Sequence, residues 1–162
     1  MVYHIEERDN LRFVGLRYFV PTGEDGVSPD KDLIPSFWRA LPKTDYDTLN
    51  SLSDCIPRGV VGIFAKKHDG GFDYWIAAAT TEDCPPPYEI VEIPPAKWII
   101  FQTDAPLPKS IQTVFFNVYT KFFPNSQRYV RNWDVYELEV FLSNPLEDKG
   151  CITEAWVPVL EK

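Results

Sequence analysis

Glu137 and Glu139 flank Leu138 in the run VYELEVFL (135–142), and Glu154 stands two residues before Trp156 in ITEAWVPVL (152–160). Both runs alternate as β-strands do, sending successive side chains to opposite faces. In the first run Val135, Glu137, Glu139 and Phe141 share one face, and Tyr136, Leu138, Val140 and Leu142 share a core-like one. In the second, Ala155, Val157 and Val159 form a small apolar face, and Glu154, Trp156 and Pro158 the other. A third run, FDYWIAAAT (72–80), puts Phe72, Tyr74 and Ile76 on one side and Asp73, Trp75 and Ala77 on the other. Ring faces beside a carboxylate suit a planar or cationic organic ligand, because rings supply stacking and cation–π attraction and the carboxylate supplies counter-charge. The candidates for such a wall are Glu137, Glu139, Phe141, Trp156, Trp75 and Tyr74, joined by Trp38 and Tyr119 from predicted helices. Each has a plainer reading: a solvated strand face for the glutamates, core packing for the rings. Alternation does not choose between Glu137 and Glu139, since one β-bulge reverses the parity of a strand.

Other chemistry has less material. His4 and His68 are the only histidines, one near a terminus and one in the turn-like KKHDGG stretch, so a triad or a multi-histidine metal site lacks its parts. No G-x-S-x-G, P-loop or G-x-G-x-x-G occurs. Cys55, Cys84 and Cys151 are odd in number and form no C-x-x-C pair, which argues for thiols rather than disulfides or zinc. No metal and no cofactor is expected. The 16 basic and 24 acidic residues give a formal charge of −8, the opposite of a phosphate-binding footprint, so direct nucleic-acid binding is disfavoured and a cationic ligand favoured. With 162 residues, 44% hydrophobic and 15% aromatic, the chain reads as one globular domain with a core large enough to need no staples. The apolar runs are too short to span a membrane, and MVYHIEERDN is unlike a secretory signal, so a cytoplasmic location is expected.

The elements that must position these residues come in two sets. Residues 11–20 read as a strand; Leu33, Phe37 and Leu41 mark a helix after Asp32 as N-cap; residues 45–52 add further helix; 59–66 and 72–80 form a hairpin around Asp69-Gly70-Gly71. After the proline cluster at 85–87, residues 88–93 and 97–102 supply strands. Ile111, Phe115, Val118 and Phe122 form a helix stripe stopped by Pro124, and 135–142 and 152–160 close the chain. Phe37 to Phe64 is 27 residues and Phe115 to Phe141 is 26, which aligns Gly62-Ile63-Phe64 with Glu139-Val140-Phe141 and Trp75 with Trp156. The order predicts an α+β fold made of a duplicated β-α-β-β module, with halves at about 1–83 and 86–162 and a cleft along their pseudo-two-fold axis.

The succession FVGL (13–16), PSFWRAL (35–41), GVVGIF (59–64), FDYWIAAAT (72–80), YEIVEIPPAKWIIFQ (88–102), YTKFFPNS (119–126), YELEVF (136–141) and EAWVPV (154–159) resembles the GyrI-like effector-binding domain over nearly the whole chain. The resemblance implies the duplicated module and a pocket for lipophilic, often cationic, compounds, with Glu139 matching the glutamate that pairs with the ligand's charge. In multidrug-sensing regulators of the MerR and AraC types this domain is fused to a DNA-binding part; here a stand-alone form is expected. Three roles follow as expectations. One is a small-molecule binding protein that sequesters xenobiotics or serves a separate regulator. Another is a cofactor-free hydrolase that opens cyclopropane-bearing DNA alkylators in an aromatic cage, with Glu139 as acid and base. The last is a protein inhibitor of DNA gyrase. The chain departs from the family pattern at AAAT (77–80), where relatives usually carry a glycine, which bears on how closely a neighbour approaches Ala78.

Overall fold

The computed structural model describes residues 2–22, 33–103, 109–148 and 150–162. Asp32, the expected N-cap, lies outside the described residues. Among those described are nine strands, all of whose specified pairings are antiparallel, and three helical segments, an α+β architecture. The chain divides into two compact units, one continuous, Arg12–Val91, and one discontinuous, Met1–Leu11 with Glu92–Lys162.

In the continuous unit, β2 (Leu11–Pro21) pairs with β4 (Gly71–Ala79), which pairs on its other side with β3 (Val60–His68). Asp69-Gly70 makes the two-residue hairpin loop, and Gly70 sits at φ +83°, a conformation open to glycine at no steric cost. Between β2 and β3 run α1 (Leu33–Ala40) and α2 (Lys43–Leu52). Pro42 separates them, its fixed φ of −59° placing it at the N-cap of α2, which starts two residues before the sequence pattern predicts. The close approach expected around Ala78 is made from the neighbouring strand: a Cβ on Gly15 would lie 2.3 Å from the Ile76 carbonyl oxygen and 2.5 Å from the Ala77 Cβ. β5 (Glu89–Ile93) flanks β2.

The discontinuous unit repeats the order. β6 (Ala96–Thr103) pairs with β9 (Thr153–Glu161), which pairs with β8 (Glu137–Phe141) and, further along, with the three-residue β7 (Tyr129–Arg131). Its helix, α3 (Lys109–Asn117), continues through a π-helical stretch, Val118–Phe122, into a last turn, Phe123–Asn125. Pro124 lies in the first turn of that segment, where its missing N–H costs little, so it does not stop the helix before itself as expected. β1 (Tyr3–Arg8) pairs with β6 and therefore belongs with the second half. This differs from a boundary drawn by sequence order.

Strand order is thus β2-β4-β3 in one unit and β6-β9-β8 in the other, the duplicated β-α-β-β module. With Trp75 and Trp156 as equivalents, cross-strand register aligns Ile63 with Leu138 and Phe64 with Glu139. The sequence alignment of the halves is therefore corrected by two residues on this strand. A shift of two preserves the face, which is why periodicity did not reveal it.

Candidate functional site

Register fixes which residues of the discontinuous unit share a wall. Glu139 stands opposite Ala155, and Ala155 opposite Phe101; Phe141 stands opposite Thr153; Val157 stands opposite Ile99. Ile111 and Val118 of the helix pack with Ile99, Phe101, Ala155, Val157 and Val159, so this is the helix-covered face. β8 is regular from Glu137 to Phe141, and both glutamates lie on that face. Glu139 is 4% exposed, a carboxylate buried among methyl groups and rings, and Phe141 is buried beside it. Thr153, on the same face, buries its hydroxyl with no hydrogen-bond partner among the described residues. Such a hydroxyl is a polar group in need of a water or a ligand.

Glu137 is the floor of a second arrangement. Arg131, at the end of β7, approaches it at 3.6 Å, the two side chains being 8% and 14% exposed. The same guanidinium donates from Nε to the Tyr119 hydroxyl at 3.1 Å, from one terminal nitrogen to the Val135 carbonyl at 2.9 Å, and from the other to the Asn132 carbonyl. It lies 4.9 Å from the centre of the Trp133 ring, and Trp133 stacks on Tyr119 at 6.1 Å and 25°. Tyr119 projects from the π-helical stretch, where one extra residue per turn re-aims a side chain. Burial pushes its hydroxyl well above the usual tyrosine range, and the negative charge of Glu137 adds to the shift. Arg131 and Trp133 are the members that sequence reasoning missed. A three-residue strand carries no periodic signal, and RNW reads as a loop.

The remaining candidates disperse. Trp156 stands opposite Leu138 and Ile100, on the face away from Glu139, so the expected pairing of Trp156 with Glu137 and Glu139 on one wall is corrected. It is a core residue there, edge-on to Trp98 at 5.8 Å, with its indole N–H donated to Glu154 at 3.1 Å. In the continuous unit, Tyr74 and Trp75 are neighbours on one strand and face opposite ways. Trp75, buried, shares its face with Arg17 and Ile63. Tyr74 faces α1, where its hydroxyl accepts a 2.8 Å hydrogen bond from Trp38 Nε1. Tyr18 stacks on Phe37 at 4.5 Å and Phe64 meets Tyr74 edge-on at 5.3 Å, a ring cluster in which Tyr74 is fully buried and the other three are half-buried.

No group of three or more His, Cys, Asp or Glu able to hold a metal occurs among the described residues, and no helix among them is long and apolar enough to cross a membrane. No curated protein matches the chain significantly. Among solved structures, a candidate bacterial transcription regulation protein from Staphylococcus aureus MU50 is similar at 20% identity and TM-score 0.78, over 98% of each chain. SAV2435 bound to tetraphenylphosphonium is similar at 20% identity and TM-score 0.82, over 99% of this chain and 94% of the other. The EcmrR C-terminal domain is similar at 14% identity and TM-score 0.63, over 99% and 98%. At these identities the likeness establishes the fold. The model of the GyrI-like small molecule binding domain matches residues 1–160, and the chain belongs to that family.

Proposed function

We propose that this protein binds lipophilic cationic or planar organic molecules, with Glu139 as the counter-charge. The observation that carries the reading is a carboxylate 4% exposed on a wall of apolar side chains and rings. A buried carboxylate is costly, and an organic cation that brings its own apolar surface offsets that cost better than a hydrated ion does. Ala155, only a methyl group opposite Glu139, and the unsatisfied hydroxyl of Thr153 complete a surface suited to such a guest. A structural neighbour bound to tetraphenylphosphonium supports the ligand class.

The test is titration of the full chain with tetraphenylphosphonium, followed by tryptophan fluorescence and calorimetry. The expected result is saturable binding weakened by roughly tenfold or more in Glu139→Gln, the scale of one lost charge pair in a partly desolvated site. Absence of binding at millimolar ligand, or affinity indifferent to Glu139→Gln, would sink the reading.

A further inference from the structure

On the face that carries Glu139, a second carboxylate, Glu137, is paired with Arg131 at 3.6 Å. We infer that Arg131 is a resident counter-ion which sets the charge of the ligand the site accepts, reserving it for singly charged molecules. This inference rests on the binding function proposed above and specifies its ligand class.

Five contacts define the arrangement: the ion pair with Glu137 at 3.6 Å, the hydrogen bond to Tyr119 at 3.1 Å, the hydrogen bonds to the Val135 carbonyl at 2.9 Å and to the Asn132 carbonyl, and the ring face of Trp133 at 4.9 Å. Carboxylate, phenol and indole face are the groups that recognise an organic cation, and here they hold a guanidinium belonging to the chain itself. A guanidinium offers planar donors to a carboxylate, a phenol and carbonyls at once, which a lysine ammonium does not match. The side chain is 8% exposed and held by two backbone carbonyls as well, so it does not swing out as a surface arginine would. Glu137 and Glu139 are two residues apart on one strand, about 7 Å by strand geometry. Whatever else the two carboxylates meet, removing Arg131 makes the field at Glu139 more negative by one unit charge, and a dication gains twice what a monocation gains from that change. With Arg131 in place, a dication meets a repelling guanidinium.

The experiment compares the wild-type chain with Arg131→Ala and the charge-conserving Arg131→Ala/Glu137→Gln. The probes are a matched pair of similar size, the monocation N-methyl-4-phenylpyridinium and the dication methyl viologen. Wild type should favour the monocation. In Arg131→Ala the dication-to-monocation affinity ratio should rise by roughly tenfold or more, the Coulombic scale of one uncovered charge at this separation. In the double variant the ratio should return to the wild-type value. A ratio unmoved in Arg131→Ala overturns the inference. If that single variant fails to fold, a shifted ratio in the double variant overturns it instead. Methylguanidinium supplies a readout independent of the proposed ligand: it should raise the melting temperature of Arg131→Ala and leave wild type unaffected. If neither aromatic cation binds any variant, the proposed function fails, and this arm alone decides whether the Glu137 slot is a cation site. Equal effects of methylguanidinium on both proteins would show that it is not.

Discussion

The same strand-helix-strand-strand plan is filled in opposite ways by the two units. In the continuous unit Phe37 of α1 meets Tyr18, with Phe64 and Tyr74 beside them, and Trp38 Nε1 donates to the Tyr74 hydroxyl. At the corresponding positions the discontinuous unit has Glu139 where the first has Phe64, and Ala155 where the first has Tyr74. Two differences at equivalent register positions thus separate a cluster of rings from a wall with a carboxylate and a small neighbour. A duplicated module can keep one copy for stability and let the other carry the cost of a buried charge, which a single copy of this size would bear less easily.

That contrast can be broken most forcefully at Tyr74. Tyr74→Ala removes a fully buried ring and Trp38's acceptor, and should cost about 3–5 kcal/mol in chemical denaturation. A loss below about 1 kcal/mol would mean that the continuous unit is not held by its rings. Next is Ala155→Leu, which imports bulk at the point where the other unit has a tyrosine. It should cost about 1–3 kcal/mol by overpacking and should abolish tetraphenylphosphonium binding, whereas stability and affinity both unchanged would refute the occupied-wall reading.

The third concerns pH. The Tyr119 hydroxyl has a raised pKa, from burial first and Glu137 second, so the folded protein holds its phenolic proton where the unfolded chain has lost it. The stabilisation is complete below the ordinary tyrosine value of 10.0 and declines as pH rises above it, by up to about 1.4 kcal/mol per pH unit. Urea unfolding between neutral and strongly alkaline pH should show this decline, and Tyr119→Phe should flatten it. The smallest effect is expected of Tyr74→Phe, which keeps the ring and removes only the acceptor for Trp38, costing about 1 kcal/mol.

The fold was legible where periodicity carries it. Alternation locates most of the strands and the repeated order of elements reveals the duplication, while the Phe37-to-Phe64 spacing matches Phe64 to Phe141 where the register matches it to Glu139. Site geometry was less legible for a related reason: period two sorts a strand's own residues but says nothing of which neighbour each one meets. Glu139 and Trp156 were assigned to one wall on equal grounds, and only the pairing of Glu139 with Ala155 separates them. Arg131 and Trp133 reach Tyr119 through a three-residue strand and a π-helical turn, neither of which leaves a repeating pattern. The alternation of Tyr3 and Ile5 with His4 and Glu6 in β1 is a faint signal, because the strand is mostly polar and exposed.

The placement of β1 has a bearing on how the chain is made. Its hydrogen-bonding partner, Ala96–Thr103, leaves the ribosome some ninety residues after it, as the pairing of Tyr3 with Phe101 requires. The continuous unit, by contrast, is complete once Val91 has emerged. During synthesis the ring-filled module can therefore assemble first, while the N-terminal strand waits with its backbone unpaired. The discontinuous unit closes last, around a long loop whose ends the first unit has already compacted, which lowers the entropy of that closure.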